Sequence, residues 1–167
     1  VALRYAVTYG PRQSLYNPYT GVVSIFSTRL LNDLAPIVFE DGRQTRDFIF
    51  VGDVARANLF VLLNGKTEGQ VFNVATGQAT AVADLTRLLA SMYGKAIEPA
   101  IPGEFRWGDV RHIVLDPSKL NKLGFLAQTR LEDGVRLFSQ WMLQQGAVRE
   151  CFSDGYDQLK KKGVICE

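Results

Sequence analysis

The sequence predicts an α/β fold, and three observations carry that expectation. Short β-branched and aromatic runs alternate along the chain with segments whose apolar residues recur at helical spacing. Glycine, proline, Asn and Asp punctuate the joins between them. The composition is that of a folded chain: 167 residues, 47% hydrophobic and 22% charged. That is enough apolar material for a sizeable core and too much for general disorder. The length fits one ordinary domain.

The elements follow in order. Residues 2–9 read as a strand closed by Gly10-Pro11. A loop over 11–20 holds Asn17-Pro18, and Thr20 is placed to cap a helix over 21–33, where Val22, Ile25, Phe26 and Leu30 keep helical spacing. Pro36–Glu40 reads as a short strand before an Asp41-Gly42 turn, and Phe48–Val51 as the next. Asp53 is placed to cap a helix over 54–63 with its carboxylate. Gln70–Ala75 reads as a strand and Gly77 as a turn. Residues 82–93 form an amphipathic helix stopped by Gly94 in a left-handed conformation.

Residues 96–111 carry Pro99, Pro102, Gly103 and Gly108 and read as irregular. His112–Leu115 is a short strand, and Pro117 opens a helix that ends at Gly124. A helix over 131–145 lines up Leu131, Val135, Phe138, Trp141 and Met142, with Gly134 weakening its first turn. The organisation is therefore a main unit over 1–150 and a tail over 151–167. The tail carries a short basic helix whose Lys160, Lys161 and Lys162 read as a solvated face.

Several function classes fall away on composition. Nineteen Lys and Arg against seventeen Asp and Glu give a net charge of +2, which argues against nucleic acid or a membrane surface as a non-specific partner. There is no run of eighteen apolar residues and no signal-peptide pattern, so a cytoplasmic location is expected. Cys151 and Cys166 are too far apart for a metal-spaced pair and make no disulfide framework. His112 is the sole histidine, which rules out multi-histidine metal sites. A hydrolytic triad would depend on it, yet no Gly-x-Ser-x-Gly run is present, so His112 is expected to serve as a structural hydrogen-bonding residue.

The fifteen glycines include no two with a single residue between them, so the dinucleotide fingerprint is absent, and no Gly-Lys-Ser/Thr occurs. More informative are two arginine-bearing loops, Gly42–Asp47 with Arg43 and Arg46, and Gly103–His112 with Arg106 and Arg111. Planar guanidinium groups converging from separate loops match the oxygens of a pyrophosphate, and Asp109 would accept from ribose hydroxyls. Surface ion pairs would explain the same arginines, and spacing alone leaves both readings open. Tyr156 and Lys160 have the Tyr-x-x-x-Lys spacing of an acid–base pair, but chance supplies such a match readily in a chain with this many tyrosines and lysines.

Taken together, the runs Leu3-Arg4-Tyr5, Tyr9-Gly10-Pro11-Arg12-Gln13, Pro18–Val22, Phe39–Gly42, Thr45–Phe48, Asp53–Ala57, Val71–Val74 and Gly108–His112 resemble the C-terminal half of extended short-chain dehydrogenase/reductase enzymes, the NAD-dependent nucleotide-sugar epimerase and dehydratase family. Order and spacing agree from residue 1 to about 145. Within the family, Gln13–Leu31 and Leu159–Val164 look most like 4-epimerases acting on dTDP-L-rhamnose or UDP-sugars. The resemblance implies the C-terminal part of an extended Rossmann-type epimerase, with the last sheet strands and a mixed α/β substrate-binding domain.

The resemblance also implies roles. Arg46 would hold the substrate pyrophosphate, Arg106 and Asp109 would contact phosphate and ribose, and Arg111 is a weaker candidate in the same loop. Val38 and Phe39, with Ile37, would flank the pyrimidine of a dTDP- or UDP-sugar. Tyr19 and Val22 belong to the loop that lays the nucleotide-sugar onto the following helix. Tyr9 and Pro11 would lie near the nicotinamide of NAD. The family's Tyr/Lys pair falls ahead of this chain's first strand, so no catalytic residue is assigned, and a chain inactive alone is expected. The runs fit a 4,6-dehydratase portion, a non-catalytic nucleotide-sugar-binding module or a structural module as well. Val7 stands where the family carries a diphosphate-contacting Asn. Without a preceding half, apolar surface around 2–9 and 54–63 would be exposed, inviting a separate N-terminal half or a homo-oligomer.

Overall fold

The computed structural model describes residues 1–17 and 21–166. Strand β1 (Ala2–Tyr5) runs parallel to β5 (Val71–Val74), with Leu3 opposite Phe72, and β2 (Val7–Tyr9) runs parallel to β4 (Phe48–Phe50). A second layer has β3 (Thr45–Arg46) in the middle, antiparallel to β6 (Thr80–Ala81) and parallel to β8 (His112–Ile113). Strand β7 (Phe105–Arg106) pairs antiparallel with β9 (Ile165–Cys166).

Among the helices, α1 (Val22–Leu31) is buried on almost every side, α3 (Val82–Met92) and α5 (Leu131–Leu143) are amphipathic, and α4 (Ser118–Asn121) is a single turn. The main core forms where α1, α3 and α5 meet, around Leu30, Leu85, Leu89, Val135, Phe138 and Met142. Each such side chain contributes about 1.5–3 kcal/mol on full burial. A second core lies under α2 (Val51–Leu63), where Ile49, Ala57, Phe72, Val74 and Leu120 pack together. Helix α3 ends one residue before Tyr93, and Gly94 follows at φ 63, the left-handed stop expected there.

The structure corrects several expectations. The strand over 2–9 is two strands, because Ala6 donates its N–H to Val74 while Val7 donates to Asp47. The chain thus passes from one parallel neighbour to another. Pro36–Glu40 forms only a single bridge, Ile37 to Ala100, since Glu40 turns out of the extended region at φ 53. Thr20, the expected helix cap, lies outside the described residues. Asp53 does not cap a helix start: it sits within the first turn of α2 and accepts from the amides of Gln128 and Thr129 and from Arg56.

The tail is not a loose appendage. Helix α6 (Phe152–Lys161) sinks Phe152 into the main core, and Arg29 of α1 donates to Ser153 at 3.0 Å and to the Ala35 carbonyl at 2.9 Å. No helix among the described residues is long and apolar enough to cross a membrane.

Candidate functional site

Between α1, residues 37–40, β3 and the loop after β7 lies a cavity of about 330 Å³, within the range of small-molecule clefts. Helix α1 supplies Val22, Ile25 and Phe26, the bridge segment Ile37, Val38 and Phe39, and α6 closes one side with Phe152. Charge enters from the strands and the loop, as Arg46 from β3, Arg106 from β7, and Asp109 beyond it. Six of the residues that the resemblance assigns to substrate, Val22, Val38, Phe39, Arg46, Arg106 and Asp109, thus line one cavity.

Strand pairing fixes the two arginines. Arg46 stands on the central strand of its sheet, not in a loop as its spacing suggests, and its Nη1 donates to the carbonyls of Thr45 and Arg111, both at 2.9 Å. Arg106 lies with its guanidinium carbon 5.4 Å from the centroid of the Phe39 ring, a cation–π contact, and its Nε is 4.0 Å from Asp109. Two polar atoms of this lining, Arg106 Nε and Gln44 Oε1, are buried with no hydrogen-bond partner among the described residues. One is a donor and the other an acceptor, and buried polar groups are ordinarily paired. Gln44 also donates to the Phe39 carbonyl at 2.9 Å, which holds that wall in place.

Other assignments sit elsewhere. Arg111 does not line the cavity: its guanidinium pairs with Glu40 and, at 2.7 Å, with Asp41 on a shallow outer face. That bond to Arg111 holds the Asp41 carboxyl below its ordinary value. Tyr19 lies outside the described residues. Pro11 occupies the turn after β2. Tyr9 is 2% exposed, packs edge-on to Phe48 and Phe50, and donates its hydroxyl to the Leu131 carbonyl at 3.3 Å. Burial pushes its phenol far above the ordinary range, so it stays neutral. Tyr9 is therefore a core residue in this chain, and Gly134 of α5 is small because the Tyr9 hydroxyl occupies the space of a Cβ. Val7 packs against the main core. His112 shares a hydrogen bond of 2.9 Å with Thr45 across β3 and β8, a structural role.

Tyr156 and Lys160 do come together, on Glu104. Lys160 Nζ lies 2.5 Å from Glu104 Oε1, and the Tyr156 hydroxyl donates to Oε2. Lys160 is thus an ion-pair partner of a buried carboxylate and not simply part of a solvated face. Sequence reasoning missed Glu104, Gln44 and Asp47. Asp47 is 1% exposed and accepts from the Thr76 amide and hydroxyl and the Gly77 amide. Gln44 bonds to a carbonyl five residues back without forming any motif, whereas the partners of Asp47 and Glu104 lie between 29 and 56 residues away along the chain, and spacing carries no signal of pairings that long. A larger, more open hollow of about 610 Å³ between residues 75–88 and 117–132 holds one arginine, Arg130, which lies 3.8 Å from Glu132. It has no convergence of cations to match the smaller cavity.

Residues 1–75 match the model of the NAD dependent epimerase/dehydratase family. The dTDP-L-rhamnose 4-epimerase of Burkholderia thailandensis is 43% identical over 145 residues, which is 86% of this chain and 39% of that protein. The crystal structure of a Thermotoga maritima UDP-glucose 4-epimerase with UDP-glucose superposes with a TM-score of 0.80 at 40% identity, over 86% of this chain and 45% of that one. A Thermus thermophilus UDP-glucose 4-epimerase in complex with NAD gives 0.74 at 34% identity, over 87% and 46%. The chain spans less than half the length of these relatives.

Proposed function

This chain is a member of the NAD dependent epimerase/dehydratase family, and from that premise we propose that it supplies the nucleotide-sugar-binding part of a 4-epimerase acting on dTDP- or UDP-sugars. Its mixed α/β fold is that of Rossmann-type epimerase structures. The observation that carries the proposal is the single cavity onto which Arg46 and Arg106 both open, beside the Val38–Phe39 wall. Two guanidinium groups suit the diphosphate, the Phe39 ring offers a face for the pyrimidine, and the Asp109 carboxylate accepts from ribose hydroxyls.

This chain's own residues do not fit a dinucleotide. They include no pair of glycines with one residue between, and the Tyr9 hydroxyl is turned into the core. In this reading NAD and the acid–base pair are held by another part of such an enzyme, and the chain alone binds without turnover. The face that would meet that part, or a second copy, is apolar: Leu59, Leu62 and Leu63 of α2 are exposed, Leu62 to 80%, as are Val1 and Tyr5 at β1.

Calorimetric titration with dTDP- and UDP-sugars tests the proposal. Saturable heat is expected, and its absence at millimolar ligand would contradict it.

A further inference from the structure

The loop that carries Arg106 is held from one side by the end of the chain. Strand β9 pairs Cys166 with Phe105 and Ile165 with Arg106. The Trp107 amide donates to the Val164 carbonyl at 2.9 Å. Just ahead, Glu104, 6% exposed, receives Tyr156 and Lys160 from successive turns of α6. Among the described residues, β9 is the only strand that pairs with β7.

The same helix reaches the cavity wall. The Tyr156 ring stacks on Phe39, with centroids 6.3 Å apart and planes at 21°, and Phe39 is the ring over which Arg106 sits. The Glu104 carbonyl closes the arrangement by accepting from the Glu40 amide at 2.7 Å. Helix α6 is itself anchored, through Phe152 in the core and Ser153 on Arg29. A rigid element thus grips a short strand whose one cation points to the cavity, the kind of support that sets a binding residue to within a fraction of an ångström.

We propose that residues 152–166 act as a positioning latch: by holding Glu104 and β7 they set Arg106 beside Phe39 and so set the affinity of the cavity for a nucleoside diphosphate. Tyr156 and Lys160 are positioning residues, acting through Glu104 and Arg106 and touching no ligand. This inference rests on the nucleotide-binding reading above.

The test compares UDP and uridine as ligands of the full chain, by ligand-observed NMR. In the double variant Tyr156→Phe/Lys160→Met, UDP affinity falls by about tenfold while uridine affinity stays within about twofold, because Arg106 acts on the diphosphate. Lys160→Arg keeps a donor on Glu104 and retains wild-type discrimination. Amide exchange at Trp107 rises in the double variant and not in Lys160→Arg. Should the double variant fail to fold, Lys160→Met alone gives the same direction with a smaller change. Unchanged UDP affinity in a chain that binds UDP overturns the latch and leaves the site reading standing. Equal loss of UDP and uridine marks a merely structural contact and also overturns it. A wild-type chain that binds no UDP overturns the site reading and the latch together.

Discussion

Replacing Asp47 with Asn isolates the tie that joins β4 to the turn after β5. The carboxylate is buried and accepts three hydrogen bonds: Oδ1 from the Thr76 amide at 3.0 Å and hydroxyl at 2.6 Å, and Oδ2 from the Gly77 amide at 2.9 Å. The Asn oxygen can retain the two Thr76 bonds as neutral ones. Its NH₂ then faces the Gly77 N–H, a donor against a donor, in a part-buried contact. Hydrogen bonds to a charged group contribute about 1.5–3 kcal/mol each, and an orphaned buried donor costs about 1–3 kcal/mol. Counting the lost bond and the weakened pair, Asp47→Asn is expected to destabilise the fold by about 2–4 kcal/mol.

Urea unfolding followed by circular dichroism reads this as a lower midpoint at unchanged slope. Thr76→Val removes the hydroxyl bond to Asp47, together with the one the hydroxyl accepts from the exposed Gln78 amide, and lowers stability by about 1 kcal/mol. The double variant falls short of the sum, because both changes act on one network. A loss below about 1 kcal/mol for Asp47→Asn, at unchanged slope, would refute the assignment of Asp47 as the anchor of this turn.

Three further outcomes follow from the packing. Gly134→Ala overlaps the Tyr9 hydroxyl and brings a Cβ to 2.9 Å from Tyr9 Cζ; the overpacking outweighs the helix propensity gained, for a net loss of about 1–2 kcal/mol in urea unfolding, part of which Tyr9→Phe restores. Lys160 and Tyr156 hold the Glu104 carboxyl below its ordinary value of 4.5, so the tail contact is complete above that value and is lost as pH falls through the lowered one. Limited proteolysis of the tail should therefore rise only in acid, and Glu104→Gln should abolish the dependence. Leu59→Lys/Leu62→Lys should reduce self-association measured by light scattering at high concentration, and a wild-type chain that stays monomeric there would count against the exposed α2 face as a contact surface.

Much of the fold was legible because its signals are local. The apolar spacing of α1, α3 and α5 identifies those helices, and Gly94 ends α3 where a left-handed stop was expected. What escaped depends on tertiary contacts. Nothing in Ala2–Tyr9 marks Ala6 as the point where the chain changes neighbours. Strand β3 is two residues long and exists because β6 and β8 flank it. Asp53 looks like a cap by position, yet its carboxylate is turned to amides 75 and 76 residues away.

The site divides along the same line. Arg46, Arg106, Asp109, Val38, Phe39 and Val22 were nameable from motifs, and they meet at one cavity. Gln44, which steadies the Phe39 wall, and Glu104, which ties α6 to β7, carry no motif of their own. The arginine spacing that suggested Arg111 does not reveal that Glu40 and Asp41 occupy it.

The proposed diphosphate site of Arg46 and Arg106 is read out by titration with UDP before and after Arg46→Met and Arg106→Met. Each substitution is expected to weaken UDP by roughly 10- to 100-fold, the effect of losing one charge-assisted hydrogen bond, while uridine affinity holds. UDP affinity that survives both substitutions unchanged would contradict it.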